Sequence, residues 1–159
     1  MARFVPAAAR LLTDVGFYHL TRTGPDQALP PLLGRTLAGG ERAVVRAGSD
    51  ARVATLDAAL WASQEPDWLP HGTARTGHAA LQPIWLTTLE ENPNGARFLF
   101  LLDGQPCPDR LQWTRVFDLF DGQDPGAVAA ARTRWAAAKA LGAALTYWQQ
   151  TDRGWSKKG

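Results

Sequence analysis

The sequence predicts a single-domain α/β fold: a three-layer, doubly wound (Rossmann-like) architecture with a mostly parallel sheet. Two observations predict it. Segments rich in β-branched and aromatic residues alternate with segments of helical periodicity, and 159 residues suffice for one buried core but not for two ordinary domains. We assign the α/β domain to residues 14–150, with 1–13 as a frayed N-terminal extension and 151–159 as a polar C-terminal tail.

The sequence of the first half of the domain predicts two strand–helix units. Residues 15–21 (VGFYHLT) are aromatic-rich, which favours a strand, and residues 25–37 form a helix that opens at a proline and stops before two glycines. Residues 42–47 (RAVVRA) predict the second strand. Ser49 or Asp50 then caps a second helix, whose apolar residues recur at helical spacing.

The second half supplies further strands and one long helix. The predicted strands are residues 84–88, 97–102 and 114–120. Asp124 before Pro125 is a strong helix start, because the carboxylate accepts orphan N–H groups and proline needs no donor there. Gly142 is the matching stop, and residues 144–149 (ALTYWQ) form a last strand.

The long helix sets two cations and an indole on one side of an alanine-rich surface. At about 100° per residue, Arg132, Trp135 and Lys139 fall within roughly 60° of one another, whereas Arg134 points to the other side. Cations on a helix are usually solvated and a lone tryptophan usually packs in the core. The functional alternative is a binding stripe for carboxylates accompanied by an aromatic or apolar side chain.

Composition limits the classes of function. The net charge is only +2, so a broad basic surface for duplex nucleic acid is not expected. Cys107 is the single cysteine, which excludes a disulfide framework and fits a reducing compartment. We find neither a signal-peptide core nor an apolar run long enough for a bilayer, and therefore expect a cytoplasmic protein with no membrane partner.

Recognisable catalytic motifs are missing from the sequence. There is no GxGxxG or GxxxxGK[ST] phosphate loop, no GxSxG elbow, and the three histidines are too scattered for a metal motif. We therefore expect no catalytic residues, no metal and no cofactor. The enzymatic alternative is metal-dependent phosphoryl transfer by Asp103, Asp118 and Asp121 near strand ends, although Asp103 and Asp121 also precede glycines in ordinary turn dipeptides.

Short motifs in a fixed order point to a known family. From about Asp14 the chain contains FYHL, ALW, WLPHG, PIWL, VFD and ARxRWxxxKxxG. In this order they resemble the chi subunit of bacterial DNA polymerase III holoenzyme. The resemblance implies a non-catalytic accessory subunit in DNA replication. It would link the clamp-loader assembly, through the psi subunit, to the acidic C-terminal tail of single-stranded DNA-binding protein, with DNA contacted mainly indirectly.

The resemblance also implies a partner-peptide-binding site. Its arginine and helix aromatic are Arg132 and Trp135, and Lys139 stands where the family tends to be basic. The residues matching its other aromatics are Trp61 and Trp68, and Phe120 is expected to line the same pocket. Direct binding of single-stranded nucleic acid by exposed tryptophans is a weaker alternative. The surface that would meet psi stays open: an exposed strand edge and the tail segment 155–158 are the two alternatives.

Overall fold

The computed structural model describes residues 13–66 and 68–159, which form one α/β domain. The strands are β1 (Asp14–Leu20), β2 (Ala43–Arg46), β3 (His71–Gly72), β4 (Ile84–Thr87), β5 (Phe98–Leu101), β6 (Arg115–Asp121), β7 (Ala144–Thr151) and β8 (Gly154–Lys157). The helices are α1 (Pro25–Ala38), α2 (Asp50–Ala62) and α3 (Pro125–Ala140). In the part of the chain thus described, no helix has the length and apolar character needed to cross a membrane.

The eight strands form one sheet in the order β3-β4-β2-β5-β6-β1-β7-β8. All pairs are parallel except β7 with β8, which are antiparallel. Residues of α1 and α2, such as Leu29, Leu33 and Leu56, are buried on one face of the sheet, and Ala131 of α3 is buried on the other. We call these the α1–α2 face and the α3 face. The three-layer, mostly parallel fold predicted from the sequence is confirmed.

Local chemistry explains where two of the helices begin. The hydroxyl of Ser49 accepts a hydrogen bond from the backbone N–H of Arg52 at 3.1 Å, and Asp124 Oδ1 accepts one from Gly126 at 2.9 Å. Each side chain satisfies a donor that the first helical turn leaves unpaired. The predicted start of the long helix at Asp124 is therefore confirmed, with Pro125 as its first residue.

The two ends of the domain differ from the prediction. Residues 1–12 of the predicted extension lie outside the described part, but Thr13 is buried and its hydroxyl donates to the Trp113 carbonyl at 3.0 Å. The predicted polar tail, residues 151–159, contributes strand β8, and Trp155 in it packs edge-on against Tyr18 at 5.0 Å. Residues 154–157 of the predicted tail therefore belong to the sheet, because they pair with β7 and the half-buried Trp155 packs on Tyr18.

Candidate functional site

A cavity of about 210 Å³ lies between α3 and strands β1, β6 and β7 of the sheet. Its lining residues come from four elements: Phe17, His19, Phe120, Val128, Ala131, Arg132, Trp135 and Tyr147. We call it the α3 pocket. The four helical members follow the spacing i, i+3, i+4 and i+7, so they share one face of α3, and the other four come from adjacent strands. The cavity is therefore built where one stripe of α3 meets three neighbouring strands.

Strand register places the aromatic side chains of the pocket. His19 of β1 pairs with Phe120 of β6, and Phe17 of β1 pairs with Tyr147 of β7. Trp135 crosses above them, with its ring centroid 5.3 Å from that of Phe17 in an edge-to-face arrangement. Edge-to-face aromatic packing is favourable, so the floor and one wall of the pocket form a preassembled apolar surface.

Polar groups lie at the rim of this apolar surface. His19 Nδ1 and the Tyr147 hydroxyl are hydrogen-bonded. Burial raises the pKa of the Tyr147 phenol, and the nearby Arg132 guanidinium partly offsets the increase. Arg132 is exposed and has no ion-pair partner among residues 13–66 and 68–159. Its positive charge is therefore available to a ligand carboxylate while the ring of the same ligand enters the cavity.

A glycine makes room for the imidazole at the base of the pocket. A Cβ on Gly122 would lie 2.2 Å from His19 Cδ2 and 2.7 Å from the Leu20 carbonyl oxygen. The backbone N–H of Gly122 donates to that same carbonyl at 2.8 Å. The turn after β6 thus closes directly over β1 and fixes His19 beside Phe120.

Arg134, two residues from Arg132, has a different environment. Its Nε and Nη2 donate to the two carboxylate oxygens of Asp118 at 2.7 and 2.9 Å. Asp118 is 3% exposed, so this pair joins α3 to β6 beneath the helix. The prediction that Arg134 points away from Arg132 is confirmed.

Three of the six predicted site residues come together in this pocket. They are Arg132, Trp135 and Phe120. Lys139 is exposed in the last turn of α3, about 10.5 Å along the helix axis from Arg132, and does not line the cavity. It lies instead on the same side of the helix, about two turns further on.

The placement of Trp61 and Trp68 in the same pocket was wrong. Trp61 ends α2 on the α1–α2 face, and its ring centroid lies 5.0 Å from that of His71 in β3. β1 lies five strand positions from β3, or about 24 Å at about 4.8 Å per position. Trp68 follows in the loop before β3, and both indoles are about two-thirds exposed. Neither residue lines the α3 pocket, and we call these two exposed indoles the Trp61–Trp68 surface.

The structure adds strand residues that the sequence analysis missed. Phe17, His19 and Tyr147 line the pocket because β1 lies between β6 and β7. The strand order is not encoded in any local pattern, so no short-range signal could have found them. Val128 and Ala131 could have been found, because they continue the helical spacing of Arg132 and Trp135.

The three carboxylates of the enzymatic alternative are engaged by protein groups. Asp103 accepts from Arg52 and from the Gly48 backbone, and Asp121 accepts from the Gln123 backbone at 2.9 Å. Asp118 is paired with Arg134 as described above. Within the described ranges, no cluster of three or more His, Cys, Asp or Glu side chains has the geometry to hold a metal.

Comparison with known proteins places the chain in a family. A family model described as DNA polymerase III chi subunit, HolC, matches residues 12–146, which is most of the 159-residue chain. No curated protein gives a significant match. The matched region spans β1 through the middle of β7 and includes every residue of the α3 pocket except Tyr147. The chain therefore belongs to the DNA polymerase III chi subunit family.

Proposed function

We propose that this DNA polymerase III accessory subunit connects the clamp-loader assembly to single-stranded DNA-binding protein in the cytoplasm, without a catalytic activity of its own. In this proposal the α3 pocket binds the acidic C-terminal tail of single-stranded DNA-binding protein. The observation that carries it is the combination of an aromatic cavity at Trp135 with an Arg132 guanidinium that forms no ion pair within the described part of the chain. A chain end that offers a carboxylate and an aromatic ring fits both at once.

The shape of the pocket supports a terminal aromatic residue as the inserted group. Cavities of about 150 Å³ accept a benzene ring, and the α3 pocket measures about 210 Å³. The α-carboxylate of the inserted residue would lie at Arg132. Acidic residues earlier in the tail would run along α3 toward Lys139, whose ammonium group is exposed.

The expected affinity is modest. A charge-assisted hydrogen bond contributes about 1.5–3 kcal/mol and a buried phenyl ring about 1.5–3 kcal/mol. Ordering a flexible tail costs several kcal/mol of this gain. These terms indicate a weak contact, with a dissociation constant no tighter than the micromolar range, which allows rapid exchange at a moving replication fork.

Arg132→Ala is expected to weaken binding of an acidic peptide that ends in phenylalanine by about ten- to hundredfold, the equivalent of about 1.5–3 kcal/mol. Tryptophan fluorescence reports the titration, because Trp135 lines the pocket. Arg75→Ala is the matched control, since Arg75 is exposed in a loop beyond β3, and its affinity should stay within about twofold of the parent.

An amidated peptide separates the role of the α-carboxylate from general charge. On the parent protein, amidation of the C-terminus should cost about as much affinity as Arg132→Ala. On the Arg132→Ala protein it should cost little further, because the partner of the carboxylate is already gone. Full additivity of the two losses, or binding by Arg132→Ala equal to the parent, would rule out this assignment.

The Trp61–Trp68 surface is a second part of the proposal. A linking subunit must hold two partners together. Trp61 belongs to α2, which packs on the opposite face of the sheet from the α3 pocket, and Trp68 is exposed in the loop that follows α2. Exposed aromatic side chains are enriched at protein interfaces. We therefore assign the psi subunit to this surface.

Trp61→Ala with Trp68→Ala is expected to reduce co-purification of psi at least tenfold and to leave tail-peptide affinity within about twofold of the parent. Loss of two aromatic anchors typically costs more than 2 kcal/mol at an interface. Leu89→Ala is the control, because Leu89 is also a largely exposed apolar residue. Unchanged co-purification of psi would remove this surface from the proposal.

A further inference from the structure

A second aromatic hollow lies on the α1–α2 face, at the end of the sheet that is remote from Trp61. A cavity of about 210 Å³ opens between α1 and the β7–β8 hairpin. Its lining residues are Tyr18, Leu32, Arg35, Thr36, Phe98, Arg115, Phe117, Trp148 and Trp155. We call it the aromatic notch. It shares no lining residue with the α3 pocket and opens on the other face of the sheet.

The fold leaves this part of the sheet without a helix. α1 contacts β2 and β6, and the helix that contacts β7 is α3, on the other face. Tyr18 and Trp148 line a cavity together with Trp155 and the flank of α1. Tyr18 and Trp148 are stacked, with centroids 6.1 Å apart and planes 8° apart, and Trp155 meets Tyr18 edge-on. The result is a preformed row of flat rings with both indoles only partly buried.

Three cations surround the row of rings. Arg115 lies over the Phe117 ring at 4.8 Å, and Arg35 is exposed at the end of α1. Lys157 of β8 pairs with Trp148 in the antiparallel register, so both side chains point to the same face. None of the three cations has an ion-pair partner in the described part of the chain.

The lining of the notch contains no carboxylate. Asp14 lies beside Arg115 in the strand register, and no ion pair joins them within the described ranges. Burial raises the pKa of the Tyr18 phenol, and the Arg115 and Arg35 guanidinium groups partly offset the increase. The notch therefore combines flat apolar surfaces with a local excess of positive charge.

We propose that the aromatic notch binds single-stranded nucleic acid directly, with a base packed against Trp148 and Trp155 and phosphates at Arg35, Arg115 and Lys157. Flat rings interleaved with cations suit a ligand with repeated negative charges and exposed bases. A duplex keeps its bases inside and offers none to the notch. The proposal goes beyond the peptide-linking function and does not depend on it, because the two sites share no residue.

The test is binding of a fluorescein-labelled oligothymidylate to the full-length protein, followed by anisotropy between 50 and 200 mM salt. Three phosphate contacts on a single strand predict that log K falls with log salt with a slope of about −2. Arg35→Ala with Lys157→Ala should reduce this slope to about −0.7. At 50 mM salt the same double variant should lose about eightfold in affinity for each cation.

A matched pair of cations controls for the general loss of charge. Arg75→Ala with Lys158→Ala removes the same amount of positive charge. Arg75 lies in the loop beyond β3. Lys158 follows Lys157 directly, so strand alternation predicts that its side chain points to the opposite face of the sheet. This control should keep the parental slope. Equal losses of oligothymidylate affinity in the two double variants would overturn the proposal. Absence of oligothymidylate binding to the parent protein at 50 mM salt would also overturn it.

Two further outcomes would also overturn it. Loss of oligonucleotide binding in Arg132→Ala would move the nucleic acid to the α3 pocket. Displacement of the oligonucleotide by the acidic phenylalanine-ending peptide, together with loss of peptide binding in Arg35→Ala with Lys157→Ala, would make the notch a peptide site. Retention of oligonucleotide binding by Arg132→Ala, with no competition from the peptide, is the result expected here.

Discussion

Arg134→Ala should lower the free energy of unfolding by about 3–5 kcal/mol, whereas Arg132→Ala should change it by less than about 0.5 kcal/mol. The two arginines are two residues apart on α3. Arg134 holds both oxygens of Asp118, which is 3% exposed, and its removal leaves a buried carboxylate without a partner. Arg132 is exposed and has no ion-pair partner in residues 13–66 and 68–159. Urea denaturation of both variants measures the difference.

The pH dependence of this effect gives a stricter check. Burial raises the pKa of Asp118, and Arg134 opposes the increase, so the pKa in folded Arg134→Ala should be higher still. A carboxyl whose pKa is higher in the folded than in the unfolded protein destabilises the fold at pH values above its folded pKa. This penalty vanishes as pH falls below its pKa in the unfolded protein, about 3.9. The gap in unfolding free energy between Arg134→Ala and the parent should therefore narrow from pH 7 to pH 4. A gap that is constant or widens would contradict the buried-carboxylate explanation.

Asp109→Ala is expected to cost a similar 3–5 kcal/mol of unfolding free energy. The Arg46 guanidinium is 1% exposed, and its Nη1 and Nη2 donate to Asp109 at 3.1 and 2.9 Å. Arg46 Nε has no hydrogen-bond partner in the described part of the chain, so loss of Asp109 would leave a buried cation almost without acceptors. Trp113 Nε1, which donates to Asp109 at 3.0 Å, would lose its acceptor as well.

Acid titration of the parent protein tests the same Arg46–Asp109 pair by protonating the carboxylate. Burial raises the pKa of Asp109, but hydrogen bonds from Arg46 and Trp113 outweigh burial and hold it at about 2. A carboxyl whose pKa is lower in the folded than in the unfolded protein stabilises the fold at any pH above its unfolded pKa of about 3.9. For Asp109 this contribution is about 2 kcal/mol. It disappears as pH falls from 4 toward 2. The Asp109→Ala protein should lack this component of acid unfolding. Asp109→Leu combined with Arg46→Met should cost less unfolding free energy than the sum of the two single changes.

Local patterns were sufficient for most of the fold. The capping Asp124 and the alternation of strands with helices both rest on contacts within a few residues, and the structure agrees with them. Strands β3 and β8 were missed because each depends on pairing with a distant or antiparallel neighbour. β3 has only two residues, and β8 lies in a segment whose composition is polar.

The candidate site was predictable only along the helix. Spacing on α3 brought Arg132 and Trp135 to one side, and the structure places both at the α3 pocket. Trp61 has the same chemical character, but the face of the sheet on which it lies is decided by the crossover between distant strands. Motif order along a sequence carries no information about that choice, which is why aromatic residues on opposite faces were assigned to one pocket.

The short outer strands have a consequence for association between copies of this protein. An exposed strand edge is a template for unwanted pairing with another chain. One edge of this sheet, β3, offers two residues, and the other, β8, offers four with Lys157 at its end. Short length and a terminal charge are both means by which natural sheets block edge-to-edge aggregation. Edge-to-edge association of copies of this protein into fibres is therefore disfavoured, even though the sheet has eight strands.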